Sequence, residues 1–276
     1  MSSVVTALLL LLAASAVAAQ GFDHEHKAWT ALLHKHVVLV DGGRASQVRY
    51  AAFAKDRPAL KAYLETLSKV AQTEFDRWSK AQQMAFLINA YNAFTVEKIL
   101  TRHPDIKSIW DFGRVFGNPF RDRFFTLLGR ASYLDQVEHE ILRKPGSYDE
   151  PRVHYAVNCA AIGCPMLREE AFVAERLDQQ LEEQARRFLS DRSRNRYNPQ
   201  TGRLEVSKIF DWFKEDWLSG YRGFKGTAAP VRSHRQYFST YASLLADHPD
   251  HQRAIREEKV EIDFIAYDWG LNDAKK

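Results

Sequence analysis

The chain has 276 residues, of which 12% are aromatic and 27% charged, with a formal net charge of +4. That length buries a sizeable core without covalent staples, and the aromatic and charged fractions exclude a disordered or low-complexity protein. Basic and acidic side chains are interspersed rather than gathered into a stripe, which excludes nucleic acid as the expected partner.

Met1 to Ala19 carries an apolar run, Ala7 to Ala14, followed by the small residues Ala16-Val17-Ala18-Ala19. This is the pattern of a cleaved secretory signal. Cleavage after Ala19 would leave Gln20 at the start of a single domain over residues 20–276, in a periplasmic or secreted protein. The run is too short for a comfortable membrane span, and no later stretch approaches the ~20 apolar residues one requires.

Trp29, Leu32, Leu33, His36, Val37 and Leu39 predict a helix within 23–40 that runs into a short extended segment ended by Asp41-Gly42-Gly43. Leu60, Tyr63, Leu64 and Leu67 share one face of a helix from Pro58 to about Val70. The strongest pattern runs from a Ser79 cap to about Thr101, with Met84, Leu87, Ile88, Tyr91, Phe94 and Thr95 at helical spacing. Asn89 and Asn92 lie on one side of that helix beside its apolar stripe, where an unanswered amide would cost about 1–3 kcal/mol. They read as amides that bond nearby loop backbone or that orient a catalytic group.

After a phenylalanine-rich loop, Ser132 is expected to cap a helix with Leu134, Val137 and Ile141 inward and with Glu138 and His139 beside the stripe. A half-buried Glu138 needs a partner, and Arg152 is the expected one. Val153, Tyr155 and Val157 alternate with His154 and Ala156 as a buried strand would, placing Cys159 at its carboxyl end before the Gly163 and Cys164-Pro165 turn. Arg168 to Ser190 reads as an amphipathic scaffold helix, Tyr197 to Leu204 as a hairpin, and Ile209 to Trp217 as a helix capped by Ser207. A helix after Pro230 and a strand over Val260 to Ala266 complete an α+β class: mostly helical, with a small, mainly antiparallel sheet.

Both cysteines of the protein fall in one C-x4-C segment, so any thiol or disulfide chemistry is confined to it. In an exported chain a local Cys159–Cys164 disulfide is one expectation. A Cys159 nucleophile is another, since His139, His154, Arg152 or a following helix N-terminus can lower its thiol pKa. On a strand, His154 and Cys159 would face opposite sides, so His139 is the favoured base, with Asn89 or Asn92 orienting it in a Cys-His-Asn arrangement. Inert thiols are a third reading. A zinc site from Cys159, Cys164, His139 and His154 is a fourth, although the cysteine spacing is loose for paired ligands, and no metal or cofactor is adopted as the expectation.

The motifs Ala85-Phe86-Leu87-Ile88-Asn89-Ala90-Tyr91-Asn92-Ala93, Leu134 to His139, Arg152 to Pro165, Ser207 to Trp212 and Tyr267 to Asn272, taken in that order, resemble the domain of unknown function 547 family. The resemblance implies one domain and no established reaction, and it places weight on Cys159 as a thiol. Two functions are therefore carried forward. One is a thiol-centred hydrolase or acyltransferase on peptide-like or amide bonds, with Cys159 as nucleophile, His139 as base, Asn89 or Asn92 as orienter, Glu138 with Arg152 as a supporting ion pair, and His154 and Cys164 at hand. The other is a non-catalytic cell-envelope binding or scaffold domain held by the disulfide, with a small-molecule, peptide or envelope ligand as partner.

Overall fold

A computed structural model of the protein describes residues 21–113, 117–218 and 231–274. The signal-like segment Met1–Ala19 lies outside them. In chain order the elements begin with α1 (Lys27–His36), the hairpin β1 (Val37–Val40) and β2 (Ala45–Val48), α2 (Tyr50–Phe53), α3 (Arg57–Lys69), α4 (Gln72–Phe75) and α5 (Lys80–Leu100). A second hairpin follows, β3 (Phe125–Leu127) with β4 (Arg130–Ser132), then a π-helical segment Gln136–Leu142 and a 3-10 turn Pro151–Tyr155. The remainder comprises α6 (Leu177–Ser190), β5 (Arg196–Asn198), β6 (Arg203–Ser207), α7 (Ile209–Trp212), α8 (Lys214–Leu218), α9 (His234–Ser239), α10 (Ala242–Leu245), α11 (Pro249–Arg256) and β7 (Glu261–Ile265). The class is α+β. The strands form three small sheets, antiparallel throughout except where β7 runs parallel to β6.

The 21-residue α5 is the axis of the fold. Ser79 accepts from the Gln82 amide, and the Gln82 side chain accepts from the Ser79 amide, so a capping box starts the helix where the sequence predicts. Beyond its first turn the helix is buried on almost every side, and the N-terminal helices, the β3–β4 hairpin and the disulfide region pack around it in one apolar cluster. A second cluster gathers Tyr155, Phe188, Phe210, Trp217 and Phe238 against β6 and β7.

Four sequence expectations are corrected. Val153 to Val157 is not a strand: Pro151 opens a 3-10 turn, the Glu150 carboxylate accepts from the Arg152 amide, and every residue from Pro151 to Asn158 is buried. Apolar alternation there mimics a two-faced strand because both faces are inside. Ser132 ends β4 instead of capping a helix. The scaffold helix begins only at Leu177, because Ala171 to Val173 is held extended by Asn89 and by the Gln180 amide. The Ile209 to Trp217 helix breaks at Phe213 into α7 and α8.

Candidate functional site

A cavity of about 290 Å³ opens where the two apolar clusters meet. Segments far apart in sequence supply its walls: Tyr91 from α5, Glu138 and His139 from the π-helical segment, His154 from the 3-10 turn, Cys159 and Cys164 from the following loop, and Trp212 and Phe213 from the α7–α8 break. Trp110, Tyr267 and Trp269 complete the aromatic side. The Trp269 ring meets Trp110 edge-on at 5.4 Å, while Tyr267 and Trp212 pack beside it at 4.6 and 5.9 Å.

The π-helical turn explains how Glu138 and His139 both reach the cavity. The Arg143 amide bonds the Glu138 carbonyl at 2.9 Å, so each turn takes one residue more than an α-helix and the side-chain rows shift. Glu138 is only 8% exposed. Its partner is the Tyr91 hydroxyl; burial, the neighbouring carboxylate charge and that hydrogen bond hold this phenol well above its ordinary pKa. The expected Glu138–Arg152 ion pair is absent. Arg152 is taken by Glu150, only two residues away, through Nε and Nη2 at 2.9 and 2.7 Å, and by Asp178 at 2.7 Å.

His139 contacts the Arg143 guanidinium through Nδ1 and approaches Asp135 with Nε2 at 3.7 Å. A guanidinium can only donate, so the His139 lone pair faces Arg143. His154 lies differently. Its Nε2 meets Asp216 Oδ2 at 2.8 Å, and its ring stacks on Phe213 at 4.2 Å. Burial lowers the His154 pKa against the pull of Asp216. Burial would raise Asp216, but hydrogen bonds from His154 and Arg143 outweigh it and hold that carboxyl at about 2. The pair is therefore a neutral imidazole donating Nε2–H to an ionised carboxylate, with Nδ1 as its basic nitrogen.

Cys159 and Cys164 form a disulfide. Cys159 is partly exposed and Cys164 only 4%. The Cys159 amide donates to Cys164 Sγ at 2.9 Å, and the Tyr267 hydroxyl lies 3.2 Å from Cys159 Sγ. Burial pushes the Tyr267 hydroxyl up as well. Because the disulfide engages both sulfurs, neither is a free thiolate for a nucleophile or a zinc ligand in this state. Among the described residues no group of three or more His, Cys, Asp or Glu is placed to hold a metal ion.

Asn89 and Asn92 are bound to backbone on both amide atoms. Asn89 clasps Phe172 at 2.7 and 3.0 Å, and Asn92 joins the Ala156 carbonyl to the Asn158 amide at 2.9 and 2.8 Å. Neither is hydrogen-bonded to His139. Their work is to pin the two loops beside α5. Asn158 continues it by donating to the Pro165 carbonyl and accepting from the Ala160 amide, which steadies Ala160 in the left-handed region at φ 62°.

The chain's C-terminal stretch straps the disulfide loop from outside. Ile162 and Gly163 donate to the carbonyls of Gly270 and Asp268 at 2.7 and 2.8 Å, and the Asn272 amide donates to Ala160. Gly163 must be glycine here, since a Cβ would stand 3.0 Å from the Asp268 backbone. The strap delivers Tyr267 and Trp269 to the cavity.

The structure thus brings Cys159, Cys164, His139, His154 and Glu138 to one cavity, and leaves Arg152, Asn89 and Asn92 outside its lining. Sequence reasoning passed over Asp216, Tyr91, Trp110 and Phe213. Tyr91 was visible between the two asparagines; Asp216 sits in an ordinary charged run and carried no signal.

Residues 75–189 match the family model described as "Protein of unknown function, DUF547". The match spans α5, the π-helical segment, the disulfide loop and nearly all of α6, and stops before Trp212, Asp216 and Tyr267. No curated protein and no solved structure matches the chain.

Proposed function

From the cavity we propose that the protein, whose residues 75–189 match the DUF547 family model, a family described without a reaction, is a binding domain that takes one compact molecule, with the disulfide as part of the wall. The observation that carries this reading is the convergence of six stretches of the chain, far apart in sequence, on a single space of about 290 Å³, near the lower end for small-molecule sites. The wall combines large rings with few polar atoms, the composition that binding sites share. Given the signal-like leader, the ligand is expected outside the cytoplasm.

The test is ligand-observed NMR with a fragment mixture on the oxidised mature protein. Trp212 is 44% exposed, so Trp212→Ala should fold, and it should abolish the hits. Leu39→Ala, an exposed apolar side chain remote from the cavity lining, should keep them. Hits that survive Trp212→Ala, or no hits at all, overturn the reading.

A second reading is favoured by His154, which lines the cavity with Cys159 and is held by Asp216 outside the lining. A dithiol reductant would convert the disulfide to two thiols and itself become a disulfide. The Cys159 proton would then pass to His154 Nδ1, and the thiolate would attack an acyl carbon, releasing an amine that takes the proton and leaving a thioester for water or another acceptor. This moves the base from His139 to His154. Reduced protein should then be alkylated by iodoacetamide at Cys159 far faster than at Cys164, with His154→Gln slowing Cys159 about tenfold or more; equal rates, or no effect of His154→Gln, would remove the catalytic version.

A further inference from the structure

We infer that the ligand of the cavity is a compact organic ammonium ion, whose positive charge is met by the buried Glu138 carboxylate and by the surrounding aromatic faces. The inference rests on the binding reading above and adds the chemical class of the ligand.

Charge balance carries it. Among the described residues the lining includes Asp135 and Glu138 and no lysine or arginine. Asp135 is already answered, by Arg121 Nε at 3.1 Å and by His139. Glu138 is not. Among the described residues it makes no ion pair, although more than nine-tenths of it is buried, and its partner Tyr91 is a neutral hydroxyl. Buried carboxylates are ordinarily paired with a cation or a metal. Elsewhere in this protein that rule is kept: Glu150 is held by Arg152, and Asp191 by Arg194. Among the buried carboxylates of the described residues Glu138 is the exception, and it lines the cavity.

The rest of the wall suits a cation that is not a metal ion. Trp110, Trp269, Tyr267 and Trp212 present ring faces and edges, and a ring face attracts a positive charge through its quadrupole. Only one uncompensated carboxylate is available, too few for a hard metal cation that needs six or more oxygens. An anionic ligand is disfavoured for the same reason, since it would meet Glu138 with nothing to offset it.

The probes are choline and phenethylammonium, each beside an uncharged isostere, 3,3-dimethylbutanol for choline and 2-phenylethanol for phenethylammonium, measured by calorimetry on the oxidised protein. At least one ammonium probe should bind about tenfold or more tightly than its neutral partner, and Glu138→Gln should erase that difference while the neutral compound is unaffected. Gln keeps an acceptor for Tyr91, which favours folding of the variant. Trp212→Leu, on the exposed rim, should weaken both members of each pair. If the neutral isosteres bind as well as the ammonium ions and Glu138→Gln changes nothing, the charge inference fails while the binding reading stands. If no compound binds and the fragment screen is also silent, the binding reading itself has failed.

Discussion

Along α6, Arg168 gives its guanidinium to Glu170 and Gln184, Arg187 forks onto Glu169 at 2.7 and 2.8 Å, and Arg176 closes on Glu170 from the other side. Across the molecule, the cavity holds Glu138 without a cation and His154 with one nitrogen on Asp216. Both regions bury polar groups, and they differ in whether the partners are complete. The α6 face is closed upon itself and reads as scaffold. The cavity leaves a carboxylate and an imidazole facing space, and that incompleteness, rather than burial or polarity, marks it as the site.

If the α6 network is closed scaffold, opening it should cost the most. Arg168 is 4% exposed, and Arg168→Met would withdraw this buried cation from both Glu170 and Glu183, leaving Glu170 with Arg176 as its ion-pair partner. Removing one member of a buried ion pair costs about 3–5 kcal/mol, because the other charge stays behind. Urea unfolding should show that loss, and a loss below about 1 kcal/mol would mean the face is solvated and the contrast with the cavity is false.

Acid offers a second test. Burial raises Glu170, but hydrogen bonds from Arg176, Arg168 and Gln180 outweigh it and bring the carboxyl to about 2, so its stabilisation is present above the unfolded value near 4.5 and is lost only as pH falls toward 2. His26 acts in the same direction but from a higher pH. It is buried against Tyr63, and burial lowers its pKa to about 3. Between pH 6.5 and 3 the unfolded chain takes a proton that the folded chain refuses, so stability falls with falling pH by up to about 1.4 kcal/mol per unit. Wild type should weaken from about pH 6.5 downward, and His26→Gln should flatten the curve between pH 6 and 4. An unchanged slope in His26→Gln would show that the carboxylate networks, not this imidazole, set the acid limit.

The disulfide should matter less than its place at the cavity suggests. Its sequence separation is 5, and a loop that short stabilises by about 2 kcal/mol in the chain-entropy account. The same loop is already fastened by Asn158, by Asn92 and by the strap through Gly163. Cys159→Ala with Cys164→Ala should therefore lower stability by no more than about 2 kcal/mol and leave the protein folded, as judged by thermal unfolding. A larger loss would make the disulfide a fold determinant and turn the cavity wall into scaffold.

Periodicity made the axis of this fold legible. The Ser79 cap, the stripe from Met84 to Thr95, the 196–207 hairpin and the late strand all follow from local chemistry, and each occurs within a few residues of its expected place. The disulfide and the grouping of Cys159 with His139, His154 and Glu138 were also within reach, because both cysteines and those motifs stand out from apolar surroundings. Errors arose where burial was complete. Over 151–158 no face is wet, so strand-like alternation carried no information, and the parity argument that separated His154 from Cys159 fell with it. Ion-pair choice was equally hidden: Glu150 wins Arg152 by lying two residues away in a tight turn, a geometry that spacing alone does not specify.

The smallest expected effect is the most discriminating. Glu138→Gln removes a charge that has no ion-pair partner among the described residues, and leaves an acceptor for Tyr91. No cation is stranded by the change. The desolvation that opposes a buried carboxylate is relieved by a neutral amide, so stability should change by less than about 1 kcal/mol in either direction, in contrast to Arg168→Met. Parallel urea curves for the two variants check this directly. A loss of several kcal/mol from Glu138→Gln would show that the carboxylate is bound within the fold, which would return the cavity to the same closed class as the α6 face.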